Sequence, residues 1–490
     1  MPTITSTGIG SGLDIETLIN KLVALERTPI TQLTTQTNKL QTQLSSYGKV
    51  QSALATLRDA AAKLTRPDTW AATVATSSDA SSVSVTTSST GGSAATAGNV
   101  SVQVSKLATS QTVASKVLPA SPGSVGQGSI TIELGQWNAD QSAFTAKDGV
   151  TAITVDIGAG EDQLSQIRDK INAARPGIGA TVVTDSNGSR LVLRGNDTGK
   201  ANGFRVTVND ADGNSGDDTG LSALAFDPSA GINTVNQKLA ATNAAATVNG
   251  IDISSASNSL TGVVAGLNIN LLKTTAGDVS LSVGSDSVGI KKAITDMATA
   301  YNSMATLLRD QTKAVPLARG STDSSQSGPL QGDTTVVSLQ NQLRSMVGSS
   351  STLGGSLARL TDIGLEPSAT GTLTTNDAKL TAALGNLDNV KQLFMGLDTG
   401  NPDNNGLAQR LRSLGDVALG TEGRLSSRQT GLQSRISDNG KRNGELEARV
   451  ALTETRLRAR YTALDTQMAK LTSLSSYVTQ QFGSNNNNNR

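Results

Sequence analysis

The chain's 490 residues carry 41 Lys and Arg against 40 Asp and Glu, a formal net charge of +1, which leaves no electrostatic footprint for nucleic acid or an anionic membrane surface. With no Cys and no His, disulfides, thiol nucleophiles, Cys/His zinc sites and Ser-His-Asp arrangements are excluded. Aromatic residues make up only 2%, so any core must be built from Leu, Val, Ile and Ala, and platforms for stacking bases or sugars are few.

At about 150 residues per domain the length suggests three or four domains. The Thr/Ser/Gly-rich start from Met1 to Asp14 lacks a basic region followed by an apolar one, so no cleaved secretory signal is visible. No apolar run reaches the roughly 18 residues of a membrane span, and no membrane insertion is expected. Read alone this suggests a cytoplasmic chain, although freedom from Cys suits equally a protein exported unfolded. Gly8, Gly10 and Gly12 follow no strand and read as a flexible leader, not a phosphate cradle.

Asp14 is placed to cap a first helix with apolar positions Ile15, Leu18, Ile19, Leu22 and Leu25. Thr28-Pro29 stops it and starts a second helix with Thr as cap, running to about Leu64. In the second helix Leu33, Leu40, Tyr47, Leu54 and Ala61 recur seven apart, as in a coiled-coil seam, and Pro67 ends it. From about Thr73 the pattern turns to strands: Val83 and Val85, then Val100, Val102 and Val104, with Gly91-Gly92 as a turn between. A second β region holds Ile130 to Ile132 and Ile153 to Ile157, a short helix with Leu164, Ile167 and Ile171, and Val182-Val183 and Leu191 to Leu193 flanking the hairpin signal Asn187-Gly188. Phe204 to Val208 adds a strand there. A third run has the hairpin Val248-Asn249-Gly250-Ile251, then Leu267 to Leu271 and Val279 to Val283.

Past Asp286 the helical period returns at Ile290, Ile294, Met297, Tyr301, Met304 and Leu308. Asp333 reads as the cap of a helix with Val336, Leu339, Leu343 and Met346, while Asp362 to Leu365 and Gly371 to Leu373 read as two short strands around a turn. Helices resume through Leu380, Leu384, Val390, Leu393 and Phe394. Gly423, Gly431, Gly440 and Gly444 each weaken a helix by up to about 1 kcal/mol, so that stretch is expected to bend or fray. The last helix, Glu445 to Phe482, carries one stripe: Leu446, Val450, Leu457, Tyr461, Leu464, Met468, Leu471, Val478 and Phe482. A lone helix cannot bury such a stripe, so it needs a partner. Asn485 to Asn489 is a polar low-complexity tail, read as disordered.

The order helix, strands, helix is nested. It predicts an α+β multidomain fold, with a helical coiled-coil stem from both termini and two inserted β-rich head domains. Asp210, Asp212 and Asn214 mimic the start of a calcium loop, but Ser215 stands at the turn glycine and Leu221 at the closing Glu, so the reading is an acidic surface loop and no metal or cofactor is expected. Carboxylate pairs could hydrolyse glycosides without His, yet two Trp in the chain suggest no sugar cleft and no enzyme is expected. The terminal seams could be ordinary intrachain core. Their narrow, long stripes at the extreme ends favour packing between molecules.

Several short motifs in order, Gly8-Ile-Gly-Ser-Gly-Leu-Asp14 with the helix to Glu26 and Pro29, Val248 to Ile251, Tyr301-Asn302, Leu330-Gln-Gly-Asp333, Asp362-Ile-Gly-Leu365, Gly371-Thr-Leu373 and the helix Leu464 to Phe482, resemble the flagellar filament cap family, also called hook-associated protein 2. Thr151 to Phe204 looks like the inserted β repeat of flagellin-related proteins, whereas the short Asn-rich tail and the variable middle depart from the family pattern. The resemblance implies a leg from 1–42 with 421–490, a helical domain from 43–72 with 286–420, a β-rich head from 73–116 with 236–285, and an outer β-rich head at 117–235. It further implies a protein secreted unfolded through the flagellar export channel to the extracellular flagellum tip, forming a homo-oligomeric ring that promotes folding and polymerisation of flagellin. Hook-filament junction proteins and a cytoplasmic export chaperone at the C-terminal helix would be its other partners. The expected oligomer and filament contacts are Leu18, Leu22, Leu25, Leu33, Leu40, Leu457, Tyr461, Leu464, Met468, Leu471 and Val478. The alternative function is an adhesin binding host surface or mucin glycans through the β-rich head.

Overall fold

The computed structural model describes residues 14–88, 95–118, 124–232, 234–316 and 326–485, with side chains described as far as Gln481. Gly8 to Gly12, the Gly91-Gly92 turn, the Phe482 side chain and the tail beyond Asn485 therefore lie outside the described residues. The helices are α1 (Ile15–Glu26), α2 (Thr28–Leu64), α3 (Pro67–Ala71), α4 (Leu164–Ala174), α5 (Ser287–Thr312), α6 (Thr334–Gly348), α7 (Asp377–Ala383), α8 (Leu387–Met395), α9 (Leu407–Leu419) and α10 (Arg424–Asn485). The chain forms two compact units, Met1–Trp70 with Ser287–Arg490, and Ala71–Asp286.

In the helical unit α2 packs against α5, α9 and α10. Leu40, Tyr47, Leu54 and Ala61 are buried, and so is the interleaved set Val50, Leu57 and Leu64, so the seven-residue repeat is a true a/d seam filled from within the chain. Ile290, Ile294, Met297, Tyr301 and Met304 of α5 fill the same core. Burial pushes the Tyr47 and Tyr301 phenols up, which keeps both neutral. Two of the sequence motifs meet here: Asn302 Nδ2 donates to the Leu373 carbonyl at 2.7 Å and its Oδ1 accepts from Leu373 N at 2.6 Å. The short strands are Leu365–Pro367 and Leu373–Thr375; Leu360–Ile363, expected in part as strand, is a 3-10 turn closed by Gly364 in the left-handed region.

The β unit has two apolar clusters. One lies under a five-stranded antiparallel sheet, Thr73–Ser77, Val279–Ser285, Gly98–Lys106, Ala244–Val248 and Ile251–Ser255 in that order, with a three-stranded sheet of Ser259–Thr261, Leu267–Leu271 and Val83–Thr87. At the Val248 to Ile251 hairpin, Asn249 (φ 49°) and Gly250 (φ 79°) supply the two positive φ values a type I′ turn demands. The other cluster sits among α4, a sheet around Gly128–Trp137, and a sheet of Asn236–Leu239, Thr112–Ala114, Gly188–Gly195 and Ile178–Asp185. Because Thr112–Ala114 and Asn236–Leu239 pair into this second region, its chain enters and leaves through neighbouring strands, outside the expected limits of 117 and 235. The turn of the hairpin before Gly188 is Ser186-Asn187, one residue earlier than the Asn-Gly signal placed it.

Three local expectations are corrected. The N-cap of α2 is Arg27 without a side-chain cap bond; Thr28 is already helical. The glycine-rich stretch does not interrupt the last helix: Gly431, Gly440 and Gly444 lie inside the continuous 62-residue α10, and Gly423 immediately precedes it. Burial of Leu425 and Leu432 in the helical core offsets the glycine penalty there. Asp210 is buried and not part of a surface loop. Its Oδ2 accepts from Ser222 N at 2.8 Å and Ser222 Oγ at 3.1 Å, so it ties two segments together. No group of three or more acidic residues poised to hold a metal occurs among the described residues.

Candidate assembly surface

The two chain ends meet where α1 packs on α10. Asp14 caps α1 by accepting from Thr17 N at 3.0 Å and from Thr17 Oγ1, and these bonds hold its carboxyl below the ordinary range. Ile15, Ile19 and Val23, four residues apart, are buried against Val450, with Ile30, Leu457 and Tyr461 packed around them. Arg458 forks onto Glu16 with two bonds of 2.9 Å while its Nε reaches Glu454 at 3.0 Å. The Arg458 bond holds the Glu16 carboxyl below its usual range. Further along, Asn439 donates to Thr37 Oγ1 at 3.3 Å. The pairs 16 with 458 and 37 with 439 advance in opposite directions, so the N-terminal helices run antiparallel to α10.

The expected contact residues divide into two groups. Leu40 is buried in the helical core, and Leu33, Leu457 and Tyr461 are half-buried within the chain. Leu18 and Leu22 lie at the edge of this contact, 42% and 37% exposed, and Leu25 is 74% exposed. On α10, Leu464, Met468, Leu471 and Val478 are likewise exposed, as are Leu474 and Tyr477, which the periodic reading passed over. Leu464, Leu471 and Val478 continue the seven-residue spacing of Val450 and Leu457 into a stretch with no apolar cover from the described residues. Sequence reasoning also missed Val23. Its signal was present, four residues beyond Ile19 and eight beyond Ile15.

Comparison with known proteins bears on this surface. The models of the flagellar hook-associated protein 2 N-terminus and C-terminus match residues 11–111 and 241–473. The flagellar hook-associated protein 2 of Escherichia coli K12 is 32% identical over 99% of this chain and 100% of its own length. The chain belongs to the flagellar hook-associated protein 2 family. The B-type flagellar hook-associated protein 2 of Pseudomonas aeruginosa is 31% identical over 98% of this chain and 97% of its own length. A flagellin hook IN motif matches 143–197, inside the second β cluster. The crystal structure of the flagellar cap protein FliD D1-D2-D3 domains from Escherichia coli superposes with a TM-score of 0.55 at 29% identity, covering 79% of this chain and 99% of that one. The α+β multidomain fold is therefore that of the family. These matches give no support to the adhesin alternative. No helix among the described residues is long and apolar enough to cross a membrane.

Proposed function

We propose that this chain is a non-enzymatic cap: a homo-oligomeric ring at the growing filament tip, outside the cell, that promotes folding and polymerisation of exported flagellin. Full-length family membership supports the reading. The observation that carries it is the exposed stripe Leu464, Leu471 and Val478, an apolar seam that no other described residue covers. In this reading Leu18, Leu22, Leu25, Leu464, Met468, Leu471 and Val478 touch neighbouring subunits or the filament, whereas Leu33, Leu40, Leu457 and Tyr461 brace the leg that presents them. In this reading the four apolar clusters are the cores of leg, helical domain, inner head and outer head, with Leu40, Leu425 and Leu432 belonging to the helical domain and not to the leg. Before export the same α10 stripe is the natural seat for a cytoplasmic chaperone, and after it for hook-filament junction proteins.

Deleting the gene tests the role. The reading predicts cells without filaments that release flagellin monomer into the medium; normal filaments in the deletion strain would overturn it.

A further inference from the structure

The leg is two helices packed side by side, α1 on α10, so it has two broad faces. The ion pair of Glu16 with Arg458 lies on one of them. At about 100° per residue Arg458 is about 80° to one side of the buried Val450, and Glu447 and Glu454 are about 60° and 40° to that same side. This face therefore gathers three carboxylates around one guanidinium. Arg458 serves Glu16 and Glu454, and Glu447 has no ion-pair partner among the described residues.

The other face has the opposite charge. Arg449 and Arg456 lie about 100° and 120° to the other side of Val450, and Arg435 and Arg442 extend their row at the same seven-residue step. Arg460 joins it about 80° from Val450. All five are exposed and none is in an ion pair among the described residues, where Arg458 is the paired arginine of this stretch. Asp438 and Glu445 border the row, too few to neutralise it. On α1, Leu18, Leu22 and Leu25 turn to this same face, opposite in sense to Glu16, and Lys21 beside them adds to its positive charge.

The two faces match each other at one height. Arg449 stands two residues beyond Glu447 and Arg456 two beyond Glu454, about 3 Å along the axis, so a single small shift between parallel legs satisfies both pairs. The same stacking lays Leu18, Leu22 and Leu25 over the exposed small side chains Ala24 and Ala451 of the next leg. The apolar stripe supplies the burial, and the charges select partner and orientation. Since the face given differs from the face received, the contact is heterologous and can repeat from subunit to subunit until a ring closes.

We propose that neighbouring subunits stack leg on leg at one level, the Arg449 and Arg456 face of one against the Glu447 and Glu454 face of the next. The inference rests on the ring reading above and names the surfaces that would join its subunits.

Charge reversal tests it in full-length protein. Arg449→Glu makes both faces of the leg acidic where they meet, and Glu447→Arg makes both basic. Each variant alone should assemble about tenfold more weakly by light scattering, and an equimolar mixture should recover the parent's assembly to within about twofold, because only alternating subunits then match. Both positions are exposed, and circular dichroism melts confirm that each variant folds as the parent does. Cells producing both variants should likewise regain the motility that either alone lacks. Two variants that each assemble as the parent does, or a mixture that assembles no better than its components and leaves cells non-motile, would overturn the leg contact. The filament phenotype of the gene deletion is independent of this result, so loss of the leg contact and failure of the cap reading are separable.

Discussion

The middle of α2 and the leg where α1 meets α10 are both antiparallel helix packings, yet they are built to different depths. Around Tyr47, Leu54 and Leu57 the helix is enclosed by α5, α9 and α10 and these side chains are fully buried. Around Ile19, among the described residues, only Ile15, Ile19, Val23 and Val450 are buried apolar groups of this contact, and the rest of it is half-exposed apolar groups and an exposed ion pair. Apolar burial is the main favourable term in folding, so the first region holds the unit together while the second sits near the limit of local stability. A leg held this lightly can exchange its packing for another molecule's without unfolding the domain beneath it.

That contrast can be broken from either side. Leu54→Ala should cost about 2–5 kcal/mol and lower the main thermal transition of the helical unit, because the cavity lies where neighbours cannot collapse into it. Ile19→Asp buries a charge in the leg and should release α1 alone: hydrogen exchange is expected to lose protection across Ile15–Glu26 while α2 and α5 keep theirs. Loss of protection across the whole unit would mean that leg and core are one cooperative block. The mildest change is in pH. Since the Glu16 carboxyl titrates lower in the folded leg than when free, its contribution is complete above about pH 4.3 and is lost as the pH falls through the lowered folded value. Exchange protection of α1 should therefore decline on acidification below pH 4.3, and Glu16→Gln should flatten that decline.

How much was legible follows from where each residue's partners come from. The α2 seam could be read because a helix enclosed by others repeats its apolar residues without interruption. The nested order also sufficed to place the β unit between helical ends. The face of α1 could not be chosen, since Leu18, Leu22 and Leu25 lie directly beside Ile15, Ile19 and Val23 in one apolar arc of about 160°, and only the position of α10 decides which part of it is covered. Asp210 resembled a surface acid because its partner Ser222 lies twelve residues on.

The central claim is that the exposed stripe on α10 is a surface for other molecules. Leu471 is 58% exposed, so Leu471→Asp should alter thermal stability by no more than about 0.5 kcal/mol. The decisive measurement is the mass of the assembled protein by light scattering, with and without that substitution, on samples whose melts coincide. A fall to smaller species, accompanied by lost motility in cells carrying the variant, is the predicted result; unchanged assemblies and normal motility would contradict the account.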